Sequence, residues 1–271
     1  MNTSAEIIVI GNEILNGDVL DTNSHWLCKQ LTGLGALVLR VCQVRDHLPA
    51  ITEALRSALK QSSLIITTGG LGPTDDDLTL EAVAQALERE LELNPQAFSW
   101  VQEKYQEFAQ KGYVASAEMT PERTKMARLP HGAIPLPNRV GAAPGVLLRE
   151  GKQIIVCLPG VPAELKDIFQ GALLPTLQAL FGAGAFAEWR ARVACGDESA
   201  LAPLLRKAVE AHPRVYIKSR AKRFGPDVTF IITLAARGQT REEAFTLLED
   251  AWQTLSQVLH RAGIAILALE R

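Results

Sequence analysis

The sequence lacks most of the marks by which a chain of its size announces its chemistry. Its four cysteines, Cys28, Cys42, Cys157 and Cys195, are too far apart for any zinc spacing. Three of them lie inside apolar runs, so buried free thiols in a reducing, cytoplasmic setting are expected. The five histidines, His25, His47, His131, His212 and His260, show no His-x-x-x-His or other ligand spacing. No Gly-x-Ser-x-Gly elbow supports a serine hydrolase. No apolar stretch is long enough to span a bilayer, and no signal peptide precedes the strand-like run after Met1-Asn2-Thr3-Ser4, so no membrane partner is expected. A strong charge is missing too: the net of −2 argues against a dedicated nucleic-acid or membrane-surface protein.

What is present is a large apolar complement. Of 271 residues, 47% are hydrophobic and 21% charged, which supplies a sizeable core and excludes disorder. The length suits one large domain or two ordinary ones. The charge is uneven: residues 185–271 hold 13 Lys+Arg against 10 Asp+Glu, and the remainder 15 against 20. Gly182-Ala183-Gly184-Ala185 marks the natural boundary, giving domains 1–183 and 184–271.

In the first domain strand-like runs alternate with helical ones. Glu6 to Ile10 and Leu37 to Val44 read as strands, Thr22 to Leu34 as a helix, and Ile51, Ala54, Leu55, Ala58 and Leu59 keep helical spacing. Leu64 to Thr68 is a third strand, Leu80 to Leu91 is helix-like, and 94–128 reads as helical cover with Asn94 as N-cap. Gly145 to Leu158 reads as a hairpin, followed by a helix over Ala163 to Leu180. The fold class is therefore α/β, with a mostly parallel sheet covered on both faces in three layers. After the boundary the pattern is strand, helix, strand, strand, helix and a last strand, a smaller α+β unit of open-faced sandwich type.

One stretch carries chemistry on its own: Thr67-Thr68-Gly69-Gly70-Leu71-Gly72-Pro73-Thr74-Asp75-Asp76-Asp77-Leu78-Thr79. A glycine loop between a strand and a helix lets backbone N–H groups approach a phosphate. Three aspartates at that spot repel the same phosphate unless a divalent cation stands between them. The plainer alternative is a helix start decorated with acids, each favoured by the helix dipole by about 0.3–1 kcal/mol. A Walker phosphate loop is excluded, since no Lys-Ser or Lys-Thr follows the glycines.

Gly11-Asn12-Glu13-Ile14-Leu15-Asn16-Gly17 with Asp21-Thr22-Asn23-Ser24 resembles the opening of the competence/damage-inducible protein A (CinA) family. Gly69 to Thr79 resembles that family's central motif; Pro137 to Gly145 and Leu158 to Glu164 are similar to its two later ones. The resemblance implies a molybdopterin-binding-domain-like fold followed by a KH-type domain, residues 184–271. It also implies ADP-ribose pyrophosphatase activity, with a divalent metal ion (Mg, Mn or Co), with or without a monovalent cation, and a homodimer. The long members' C-terminal deamidase domain has no room before Arg271, so deamidase activity is not expected.

The catalytic acids are expected at Asp77, Asp76, Glu13 and Asp46, with metal on Asp76 or Asp77, Asp77 first, together with Glu13; the resemblance implies Glu13 and Asp77, and the related cofactor-biosynthesis domain implies Asp46. Glu13 is otherwise a loop carboxylate bonding local amides, and Asp46 a cap for the helix carrying Ile51. The three aspartates cannot all point one way from a short turn. One or two are expected to bind metal and one to cap the helix. Gly69, Gly70, Gly72, Thr74 and Thr79 are expected around the substrate. Asp21 and Asn23 either contact ribose or start a helix, with capping favoured. Asn138 and Gly141 point to a tight loop near the ligand, and Gly160 either offers amides to a phosphate or opens an ordinary helix. Lys218-Ser219-Arg220-Ala221-Lys222-Arg223 is the single basic cluster; without a Gly-x-x-Gly loop in 185–271 it argues against nucleic acid. Three readings stay open: a metal-dependent nucleotide pyrophosphatase, a pterin-nucleotide binding or transfer module, and an RNA-binding or interaction protein.

Overall fold

The computed structural model describes residues 4–181, 185–221 and 229–271. The chain divides into two compact units, Met1–Thr32 with Ala36–Leu180, and Phe181–Arg271 with Gly33–Gly35. The stretch 182–184, where the boundary is expected, and Lys222 and Arg223 of the basic cluster lie outside the described residues.

The larger unit runs β1 (Ser4–Ile10), α1 (Asn12–Leu15), α2 (Thr22–Gly33), β2 (Leu37–Val44), α3 (Leu48–Leu59), β3 (Leu64–Thr68) and α4 (Thr79–Ala86). It continues with β4 (Leu91–Leu93), α5 (Pro95–Gln110), α6 (Pro121–Lys125), β5 (Arg128–Pro130), β6 (Ile134–Leu136), β7 (Gly145–Glu150), β8 (Gln153–Leu158), α7 (Pro162–Ile168) and α8 (Leu174–Phe181), the last two joined by a π-turn over Phe169–Leu173. Six strands form one sheet in the order β2-β1-β3-β8-β7-β6. The first four are mutually parallel; β7 runs against them as the expected hairpin turns back, and β6, antiparallel to β7, runs with them again.

Burial explains the layering. β3 is buried at every residue, as a central parallel strand covered on both faces must be. Ile8, Ile10, Ile65, Ile155 and Cys157 share one core with Ile51 and Leu55 of α3, Leu80 and Val83 of α4, and Val101 of α5. The alternate residues Ile7, Ile66 and Val156 face the other way and are equally buried, as are Leu27 and Leu31 of α2 and Leu165 and Ile168 of α7. The result is an α/β/α sandwich with a mostly parallel mixed sheet.

Some expectations are corrected. The helix expected over Leu80 to Leu91 stops at Ala86, because Glu88 turns left-handed (φ 55°) and Leu91–Leu93 pairs with Arg128–Pro130 as a separate ribbon. The cysteines are all free, but only Cys157 and Cys195 are buried; Cys28 and Cys42 are half-buried.

The smaller unit runs β9 (Ala185–Ala194), α9 (Glu198–Ala211), β10 (Val215–Ala221), β11 (Thr229–Gly238), α10 (Arg241–Arg261) and β12 (Ala265–Glu270). Its antiparallel sheet has the order β10-β11-β9-β12, which with the βαββαβ sequence is a ferredoxin-like arrangement. Trp189, Ala191 and Val193 alternate inward from β9 and meet Leu201 and Leu205 of α9 and Leu248 and Leu255 of α10. Among the described residues no helix is long and apolar enough to cross a membrane.

Candidate functional site

The carboxyl ends of β2, β1, β3 and β8 open on one edge of the larger unit's sheet, and the loop entering antiparallel β7 arrives there too. From β1 the chain winds one way to β2 and the other way to β3, so the winding reverses at this edge, where open α/β sheets bind ligands. A crevice of about 570 Å³ lies there. Along the edge its lining follows strand order: Asp46 after β2, Glu13 after β1, Gly69 to Asp77 after β3, Pro159 to Glu164 after β8, and Ala142 and Ala143 before β7.

The glycine loop is built for close approach. Gly69 has φ +105°, and a Cβ there would sit 2.1 Å from the Ile10 carbonyl oxygen. Gly70 has φ +66°, and its Cβ would sit 2.4 Å from Thr79 Oγ1. Thr79 is wholly buried and does not line the crevice. It braces the loop from behind, donating its hydroxyl to the Gly69 carbonyl (2.7 Å) and its amide to the Gly70 carbonyl (3.1 Å). The Gly69 amide is spent on Leu158 O (3.0 Å).

The acids fold around Thr74. Asp77 Oδ2 accepts from the Thr74 amide (2.9 Å) and hydroxyl (2.6 Å), and the same hydroxyl bonds Asp76 Oδ1. One hydroxyl proton thus faces two carboxylates. The Thr74 hydrogen bond, its own amide and the Lys125 charge hold the Asp76 carboxyl below its ordinary range. No aspartate caps α4, contrary to expectation. Leu78 holds the N-cap position without a side-chain bond, because Asp77 is turned back onto Thr74.

Asp46 does not cap α3 either; His47 is at that N-cap, and Asp46 Oδ2 instead accepts from the Asn12 amide at 2.7 Å. This ties the β2 end to the loop that carries Glu13. Glu13 folds over Gly11, where a Cβ would meet its Oε1 at 2.6 Å. Glu13, Asp46, Asp76 and Asp77 therefore share one crevice. Yet among the described residues no three His, Cys, Asp or Glu side chains converge as a metal cage. The expected trio Glu13, Asp76 and Asp77 therefore lines the crevice without forming such a cage.

Other expected residues stand behind the lining. Asp21 caps α2, accepting from Ser24 N (2.9 Å) and Ser24 Oγ (2.5 Å). Asn23 is buried, and its Nδ2 links Thr68 Oγ1 (3.1 Å) to the Gly160 carbonyl (2.7 Å), joining the β3 and β8 ends. Asn138 organises its own loop: its Oδ1 accepts from Val140 N (3.0 Å) and Gly141 N (2.8 Å), and its Nδ2 donates to Ala143 O (2.8 Å) and Glu164 Oε2 (2.6 Å). Gly141 lies against Glu164, where a Cβ would come within 2.1 Å of Oε2. About one turn further along α7, Arg139 binds Asp167 through its backbone amide (3.0 Å) and Nε (2.9 Å).

Sequence reasoning passed over several lining residues. Glu164 stands at the end of a motif already singled out, and its spacing from Gly160 was the available signal. Burial pushes the Glu164 carboxyl up, offset by the Asn138 hydrogen bond and the Lys104 charge. Tyr105, Met126 and Ala142 gave no signal beyond the apolar face of a covering helix and an alanine-rich loop.

Residues 6–179 match the family described as Probable molybdopterin binding domain. A protein of Pyrobaculum arsenaticum is 42% identical over 257 residues, covering 94% of this chain and 94% of that relative. One from Aeropyrum pernix is 43% identical over 242 residues, covering 89% of this chain and 87% of its own length. Both matches are too long to end at residue 179, so they extend into the smaller unit. Among solved structures, the protein CinA of unknown function from Thermoplasma acidophilum is similar at 36% identity and a TM-score of 0.59, covering 64% of this chain and 98% of that one.

Proposed function

The chain belongs to the Probable molybdopterin binding domain family, and from that premise we propose that its crevice binds a nucleotide diphosphate and hydrolyses the diphosphate linkage, with ADP-ribose as substrate and AMP and ribose 5-phosphate as products. The observation that carries this reading is one crevice holding both a positive-φ glycine loop and five carboxylates, Glu13, Asp46, Asp76, Asp77 and Glu164. The amides of Gly70, Leu71 and Gly72 make no backbone hydrogen bond among the described residues, which leaves them for phosphate oxygens.

Asp76 and Asp77 would hold a divalent ion. Two carboxylates closing on one hydroxyl suit a metal that completes its shell with substrate phosphate and water better than an all-protein cage would. When bound, such an ion neutralises charge on the diphosphate and acidifies a water. The chain's own residues do the positioning: Thr79 fixes the loop, and Asn12 fixes Asp46 beside Glu13, the pair available to accept a proton from water.

The test is turnover of ADP-ribose by the full chain with Mg, Mn or Co, read as AMP release. No release with any of the three ions overturns the reading. The second reading, binding or transfer of a pterin nucleotide, is favoured by the family's description. Pterin fluorescence retained through purification tests it. A KH-type, RNA-binding role for residues 184–271 has less support, since no Gly-x-x-Gly loop occurs there; filter retention of RNA tests it. The homodimer implied by the CinA resemblance is tested by light scattering.

A further inference from the structure

We infer that the β7–β8 end of the crevice is a recognition subsite for a flat heterocycle carrying an exocyclic amine, stacked by Tyr105 and read by Glu164. This rests on the nucleotide reading above and adds the ligand's direction and the residues that recognise its base.

The crevice is polar in a fixed sense. Asp46 and Glu13 follow β2 and β1 at one end, whereas Ala142 and Ala143 precede β7 at the other. Neighbouring strands lie about 4.8 Å apart, so these ends are separated by roughly the length of an extended nucleotide. Leu71, Tyr105, Met126, Ala142 and Ala143 all line the crevice and all belong to one apolar cluster. A ligand with a charged diphosphate and an apolar base satisfies both ends in one direction only, with the diphosphate over the glycines and the base against Tyr105.

Tyr105 is held ready. The Arg123 guanidinium lies 3.9 Å from its ring centre, and Phe108 packs against it in a T-shaped arrangement with 5.8 Å between ring centres. A ring fixed on two sides loses little freedom when a base stacks on it.

Glu164 supplies the reading group. Asn138 occupies Oε2 at 2.6 Å, whereas Oε1 has no hydrogen-bond partner among the described residues. Lys104, whose Nζ reaches the Arg139 carbonyl at 2.9 Å in the adjoining loop, supplies positive charge nearby, so no second cation is needed. A half-buried carboxylate oxygen beside an apolar wall repels phosphate and accepts from N–H. An exocyclic amine meets that requirement; a ring carbonyl in the same place sets acceptor against acceptor.

The test uses binding rather than turnover. AMP, IMP and ribose 5-phosphate are each titrated against the full chain by equilibrium dialysis. The wild-type chain is expected to bind AMP about tenfold tighter than IMP. Glu164→Gln should remove that preference without changing ribose 5-phosphate binding. Tyr105→Leu should weaken AMP and IMP alike, about tenfold, and again spare ribose 5-phosphate. Three results overturn the subsite: IMP bound as tightly as AMP by the wild-type chain, no AMP binding by it, or Glu164→Gln weakening all three probes equally, which is what a residue that merely holds the loop would do. Selective AMP binding without ADP-ribose turnover discards hydrolysis and keeps the subsite. Turnover without AMP selectivity does the reverse.

Discussion

The hydroxyl of Thr79 donates to the carbonyl of Gly69 at 2.7 Å from a wholly buried position ten residues along the chain. The bond joins the first turn of α4 to the end of β3 and fixes the glycine loop between them. Thr79→Val keeps the shape but leaves a carbonyl without its donor. A loss of about 2 kcal/mol is expected in urea unfolding, with weaker AMP binding because the loop amides are no longer held in place. Wild-type stability in Thr79→Val would show that the loop is fixed by other contacts.

Gly69 and Gly160 stand equal in the sequence, yet their substitutions should differ sharply. An alanine at Gly69 combines φ +105° with a Cβ 2.1 Å from a backbone oxygen, which cannot swing away. About 3 kcal/mol or more should be lost. At Gly160 the nearest atom to a Cβ is Gly69 Cα at 3.5 Å, an ordinary contact. Gly160→Ala should stay within about 0.5 kcal/mol of wild type. Urea midpoints of the two variants decide it.

These contrasts show where sequence reasoning stops. Several elements were legible: the first unit's third strand, Leu64–Thr68, has the bounds expected of it, and Asn94 caps α5 as expected, accepting from Ala97 N at 3.0 Å. Three-residue strands such as β4 and β5 were not, because pairing across 35 or more residues, rather than local preference, makes them strands. At the site, one edge of the sheet was foreseeable from strand order. What each acid binds was not, because Asp46 reaches the Asn12 amide and Asp77 turns back onto Thr74. Glu164 and Tyr105 come together only through the loop at 138–143, which no spacing announces.

Glu164 and Asp167 occupy one face of α7 and should respond to pH with opposite sign. Burial raises the folded-state pKa of Glu164, so its contribution to stability is present at low pH and lost as pH rises through the folded value. The Arg139 hydrogen bond lowers that of Asp167, so its contribution is present above the ordinary carboxylate range and lost as pH falls through the folded value. Glu164→Gln should therefore gain on wild type as pH rises from acid toward neutral, whereas Asp167→Asn should lose ground over the same change. Unfolding midpoints across that range check both slopes, and equal slopes would contradict the assignment.

The decisive substitution is at Asp77. Its Oδ2 accepts the Thr74 amide at 2.9 Å, and the carbonyl oxygen of an asparagine accepts equally well. Asp77→Asn should thus fold with a stability within about 0.5 kcal/mol of wild type, while the charge facing the diphosphate end of the crevice falls by one. If Asp76 and Asp77 hold a divalent ion together, metal-dependent AMP release should drop at least about 100-fold. Asp76→Asn should drop it similarly, and the double variant little further, because residues that act as a unit are not additive. Thr74→Val separates the roles. It removes the single hydroxyl proton between the two carboxylates. If the pair serves a cation, this variant should retain turnover at saturating metal. If instead the acids only shape the loop through Thr74, Thr74→Val should be the most damaging of the three. Full turnover in a folded Asp77→Asn chain would sink the metal assignment outright.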